Sequence, residues 1–106
     1  MRIGFIVTKT PSENGFKTFL QFLNIYLGKE EIYVYLVGDG VYGARKGQQP
    51  GELREIIEND HLYALSEDLQ ARGISPEQIF PGTEIVASYQ ELVVAIMEEM
   101  DQILTF

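Results

Sequence analysis

The chain has 106 residues, a length that suits one domain and disfavours two. Its 45% hydrophobic and 23% charged residues describe an ordinary globular composition, and area scaling leaves roughly 6,000 Å² exposed once such a chain folds. The absence of cysteine removes disulfides, thiolate metal sites, iron–sulfur clusters and cysteine nucleophiles together. The formal charge of -8 disfavours direct binding of nucleic acid and of anionic lipid.

Short strand-like and helix-like runs alternate from Arg2 onward, as expected for a parallel sheet covered by helices. Arg2 to Thr8 is a near-continuous apolar run, suited to a strand buried on both faces. Phe16, Phe19, Leu20, Leu23 and Leu27 fall at helical spacing, and Gly28 follows as a cap. Glu31 to Val37 is β-branched and aromatic, the composition of a second strand. Val41 to Lys46 suits a short helical turn, Gly47 to Gly51 has loop chemistry, and Glu52 to Glu58 offers a helix with Leu53, Ile56 and Ile57 inward.

His61 to Leu65 reads as a third strand, followed by a short helix through Ala71 that Ser66 is placed to cap. Ser75 to Gln78 starts a single turn, with proline at its first position. Glu84 to Ala87 is a fourth short strand. Ser88 and Glu91 have capping-box spacing ahead of a helix whose buried stripe is Tyr89, Leu92, Val93, Ile96 and Met100, and Asp101 to Phe106 closes the pattern as a fifth strand. The expectation is one domain over residues 1–106, an α/β three-layer sandwich with a mostly parallel five-stranded sheet flanked by helices. No apolar run approaches the ~20 residues needed to span a bilayer, and no cleavable leader is visible, so a soluble cytoplasmic protein is expected.

Chemistry is sparse. Gly38 to Gly43 fits G-x-G-x-x-G after a strand. It follows the second strand, however, and no clear helix comes next, so a tight turn at Gly38 and Gly40 is the plainer reading and no cofactor is expected. Ligands in open parallel sheets sit at the C-terminal ends of the strands, which here carry Lys9, Thr10, Asp39, Tyr42, Arg45, Lys46 and Ser66. Lys9, Asp39, Gly40, Tyr42, Arg45 and Lys46 therefore form the candidate ligand or partner loop. His61 lies at the opposite edge. One histidine without cysteine makes no zinc pattern, and no serine has a base at supporting spacing, so neither a metal site nor a catalytic residue is expected. Twelve aromatic residues exceed what so small a core readily hides, which marks Tyr26, Tyr33, Tyr35, Tyr42 and Phe106 as partly exposed and points to an oligomer.

Four stretches, "DGVYGARKG", "HLYALSEDLQARGI", "PEQIFPGTEIVASYQELVVAIM" and "DQILTF", together resemble the TusB/DsrH branch of the DsrE-like sulfur-relay family, in order and nearly end to end. The resemblance implies a small α/β subunit that assembles with DsrE- and DsrF-like relatives to pass persulfide sulfur, for example toward 2-thiolation of the tRNA wobble uridine. In such relatives the sulfur rides on a cysteine thiolate. The DsrE-type position matches Ala64, Leu65 and Ser66 here, and the DsrH-type position matches Phe19. The resemblance therefore implies a non-catalytic scaffold or docking subunit; the alternative is a stand-alone protein of the same fold that binds a small anion or nucleotide.

Overall fold

The computed structural model describes residues 1–47 and 51–106; the expected loop at 47–51 thus falls partly on Gln48, Gln49 and Pro50, which lie outside the described residues. Five strands, β1 (Arg2–Val7), β2 (Glu31–Leu36), β3 (His61–Leu65), β4 (Glu84–Val86) and β5 (Gln102–Thr105), form one sheet in the order β4-β3-β2-β1-β5. Every pair is parallel, with Ile3 opposite Ile32, Tyr33 opposite His61, Tyr63 opposite Glu84 and Gly4 opposite Ile103. The helices are α1 (Asn14–Tyr26), α2 (Gly51–Asn59), α3 (Ser66–Ala71) and α4 (Tyr89–Glu99). The exposed area of the described residues, 5760 Å², agrees with the scaling expected of a compact chain.

The strand order decides which helix covers which face. From β1 to β4 the chain steps in one direction across the sheet, and right-handed crossovers put α1 and α2 on the same face. The step from β4 back to β5 reverses direction, so the same handedness sends α4 across the other face. The first face buries Ile3, Phe5 and Val7, Ile32, Val34 and Leu36, and Leu62 and Ala64 against Phe16, Phe19 and Leu23 of α1 and Leu53 and Ile56 of α2. The period of two along each strand turns the remaining residues the other way. Tyr33, Tyr35, Val37 and Leu65 pack there with Ile6, Tyr63 and Val86 beneath Leu92, Ile96 and Met100. Gly4 also faces that side, where a Cβ would lie 2.6 Å from the Ile103 side chain and 3.2 Å from Met100. Its missing side chain lets the end of α4 settle on the sheet.

Local chemistry explains the element ends. Leu27 closes α1 by donating to the Leu23 carbonyl, and Gly28 follows at φ +77°, a backbone angle that glycine adopts without strain. The Ser75 amide donates to the Gln78 side chain at 2.8 Å, holding the single 3-10 turn at Pro76–Gln78. Ser88 accepts from the Glu91 amide at 3.2 Å and opens α4.

Three local expectations need correction. Ser66 does not cap α3: β3 runs into the helix without a loop, Leu65 becomes the half-in residue, and the Ser66 hydroxyl lies 3.4 Å from the Gln70 amide nitrogen. The turn after β2 is a 3-10 helix that begins at Gly38, three residues earlier than expected, because Gly38 takes φ +53° directly at the strand end. Tyr89 leaves the buried stripe of α4 and is 60% exposed, since the helix meets the sheet from Leu92 onward and its first turn stands clear.

Candidate functional site

The expected loop residues gather near the C-terminal edge of the sheet but do not form one basic cluster. Asp39, in the 3-10 turn, accepts from both Nε and Nη2 of Arg72 at 3.0 Å. Arg72 also reaches the Asp68 carbonyl at 3.1 Å, and the Asp68 carboxylate accepts from the Gly38 amide at 2.7 Å. These contacts latch the turn after β2 to α3. Gly40 is buried beneath β1, where a Cβ would sit 2.0 Å from the Val7 carbonyl oxygen; its φ is not positive, so close approach requires glycine here and the backbone angle does not. Of the two glycines expected to make the turn, Gly38 alone takes a positive φ.

Arg45 and Lys46 are drawn toward a different segment. Arg45 bridges antiparallel to Ile79, the Lys46 amide donates to the Gln78 carbonyl, and the Phe80 amide donates to the Ala44 carbonyl. The Arg45 guanidinium lies 5.8 Å from the centre of the half-buried Tyr42 ring. Lys9 follows β1, with its methylenes laid across Gly15. The cleft beside β1 is occupied by Phe106. Its carbonyl accepts from both the amide and the hydroxyl of Thr8, and its ring stacks on Phe5 at 6.1 Å and packs against Phe19 and Phe22.

At the positions where the resemblance looks for sulfur, Phe19 and Leu65 are apolar and enclosed, while the neighbouring Ser66 is half-buried. Phe19 is 0% exposed, edge-on to Phe5 at 5.7 Å and Phe16 at 5.4 Å. Leu65 is 3% exposed at the junction of β3 and α3. Neither side chain can form a persulfide, and neither is open to a reactant. Among the described residues no group of three or more histidine, aspartate or glutamate side chains is set to hold a metal ion, and no helix is long and apolar enough to cross a membrane.

The second face holds what the loop reading missed. Tyr33 and Tyr35, expected at the surface, are buried, because the alternation of β2 turns them under α4 and against β3. His61, Tyr33, Tyr63 and Tyr35 form a stacked row, with His61 4.4 Å from Tyr33 and Tyr63 4.9 Å from Tyr35. Burial, aided by the charge of Glu99, pushes the Tyr35 phenol from its ordinary 10.0 to about 12. Burial and the adjacent Glu84 carboxylate push Tyr63 up further. At the row's outer end the Tyr33 hydroxyl donates to Glu31, and that bond, with Arg2 and His61 nearby, holds the Glu31 carboxyl below its usual range. The spacing of tyrosines at positions 33 and 35 was the available signal for this row. Pairing with Tyr63 required the sheet.

A parallel five-stranded sheet with the order β4-β3-β2-β1-β5, helices α1 to α3 on one face and α4 on the other, defines a small α/β protein of the DsrE-like type. Two solved structures share it: the ychN protein from E. coli superposes with a TM-score of 0.82 at 23% identity, covering 100% of this chain and 99% of that one. A protein of unknown function from Methanobacterium thermoautotrophicum superposes at 0.80 and 18% identity, covering 99% and 98%. The family described as DsrH like protein matches residues 9–102, and the chain belongs to that family of sulfur-relay proteins. A TusC homolog of Vibrio vulnificus is 28% identical over 73% of each chain, and an uncharacterized protein of Methanocaldococcus jannaschii is 24% identical over the whole of both.

Proposed function

We propose that this chain is a non-catalytic subunit of a cytoplasmic sulfur-relay assembly, a scaffold or docking partner for DsrE- and DsrF-like proteins that carry the sulfur themselves. The observation that carries the reading is a chain without cysteine in which Phe19 and Leu65, the residues that the resemblance matches to carrier positions, are buried apolar side chains. A relay needs a thiolate as nucleophile and carrier, and no other side chain here can hold a sulfane sulfur reversibly. The chain's work is then positional. On this reading the relay ends, as in TusBCD-type assemblies, in 2-thiolation of the tRNA wobble uridine, without this acidic subunit itself gripping the RNA.

The test is transfer in a purified system. The protein is incubated with a cysteine desulfurase, cysteine and labelled sulfur, with and without a cysteine-bearing DsrE-type partner. The expected outcome is no covalent label on this chain, and faster or more selective labelling of the partner in its presence. Reductant-labile label on this chain would overturn the reading. Indifference of every DsrE-type partner would move the role to ligand binding at the loop of Lys9, Asp39, Tyr42, Arg45 and Lys46.

A further inference from the structure

The two faces of the sheet are unequally covered. Five strands at 4.7–4.9 Å spacing make a surface roughly 20–24 Å wide, and one helix with its side chains spans only ~10–12 Å of it. Residues of α1, α2 and α3 pack on the first face and α4 lies alone on the second, so a strip beside α4 has no roof. That strip is a groove of about 480 Å³. Tyr35 and Tyr63 form its floor, Glu84 and Val86 one wall, and Glu91 and Glu99 the other. The apolar surface continues over the outside of α4, where Val94 is 47% and Met97 is 78% exposed.

Charge selects what can lie there. From Gly73 to Phe106 the sequence contains Glu77, Glu84, Glu91, Glu98, Glu99 and Asp101 and no lysine or arginine. Three of these carboxylates wall the groove. An apolar strip one helix wide between acidic walls suits an occupant that is itself helical, with an apolar stripe flanked by cations. The partly exposed Tyr63 ring on the floor adds a favourable surface for lysine or arginine.

We infer that this groove docks a helix of a partner protein whose apolar face is flanked by lysine or arginine. A second copy of this chain is a poor occupant. Two such faces brought together would oppose carboxylates with carboxylates, and α1, which exposes Phe22 and Ile25, carries Lys17 as its one basic residue. The inference rests on the assembly reading for the existence of a partner and adds where that partner sits and what its surface must contain.

The experiment uses the full chain and a fluorescein-labelled amphipathic helical peptide of leucine and lysine, with a control peptide in which glutamate replaces every lysine. Binding is followed by polarisation, and the footprint by amide hydrogen exchange. The lysine peptide should bind, more weakly as salt rises, and protect amides at residues 84–99; the glutamate peptide should not bind. The paired change Glu91→Lys with Glu99→Lys should weaken binding at least about tenfold, while circular dichroism reports an intact fold. Val86→Ser, a change at a half-buried site in the groove wall, should also weaken it. Absence of binding, equal binding of both peptides, protection confined to α1, or affinity unchanged by the paired substitution would each overturn the inference. Self-association that Val86→Ser abolishes would also overturn it, by placing a second copy in the groove. Failure here alongside faster labelling of a DsrE-type partner would remove the groove and leave the relay role. Binding here without that effect would do the reverse.

Discussion

Replacing Gly40 with alanine would place a methyl carbon 2.0 Å from the Val7 carbonyl oxygen and 2.8 Å from its carbon, well inside the ~3.5–4.0 Å at which nonbonded carbons rest. The obstacle is backbone and cannot rotate away. Val7 is the last residue of β1, and its carbonyl accepts the Val37 amide at 3.0 Å, so relieving the clash strains the junction of β1 and β2. Overpacking of this kind costs about 1–3 kcal/mol, and a compromised buried hydrogen bond adds ~1–3 kcal/mol. The expected loss is therefore roughly 3 kcal/mol or more, a large part of the ~5–15 kcal/mol that holds a domain together. Gly38→Ala is the internal comparison. It has φ +53° with no atom within 4 Å of a built Cβ, so it should cost only the ~1–2 kcal/mol of the left-handed conformation. Thermal unfolding followed by circular dichroism separates the two, with a fall in Tm of roughly 12 °C or more expected for Gly40→Ala. A Gly40→Ala variant as stable as the parent, or more stable than Gly38→Ala, would refute the reasoning.

Alkaline titration should find Tyr35 and Tyr63 protonated beyond the range of free tyrosine. Their raised values mean that the stability they contribute is complete below about pH 10 and is lost as pH rises through about 12 for Tyr35 and later for Tyr63, on the order of 2–3 kcal/mol for Tyr35; phenolate absorbance from all six tyrosines near pH 10 without loss of structure would contradict this. Asp39→Asn should cost about 0.5–1 kcal/mol and lose its effect in high salt, because that carboxylate is largely exposed. Arg72→Ala should cost more, roughly 1–2 kcal/mol, since it also frees Asp68; a thermal-melt double-mutant cycle measures the coupling. Leu65→Cys should give a thiol that alkylates far more slowly in native protein than in urea, because burial keeps it from reagent, and equal rates would place Leu65 at the surface. Phe19→Ala should cost about 3–5 kcal/mol in urea unfolding through the cavity it leaves among Phe5, Phe16 and Phe106.

Element type was legible because each run carries its own period. The apolar run from Arg2, the stripe of Phe16, Phe19 and Leu23, and the cap at Ser88 are local signals, readable without knowing what they touch. Alternation of strand and helix likewise implied a parallel sheet, and the four quoted stretches carried the family resemblance. Residues whose roles depend on strand order were not legible. Tyr33 and Tyr35 were expected at the surface because composition counts aromatics without saying which face a strand turns to a helix. Asp39 was grouped with Lys9, Arg45 and Lys46 by nearness in sequence, whereas folding gives it to Arg72, thirty-three residues away. The requirement for glycine at position 40 has the same origin, since the atom that forbids a side chain belongs to Val7 in another strand. The groove beside α4 exists because the chain reverses direction only once, after β4, and right-handed crossovers then leave one helix to cover five strands. Periodicity and capping are properties of neighbours along the chain, while the covering of a face is a property of topology.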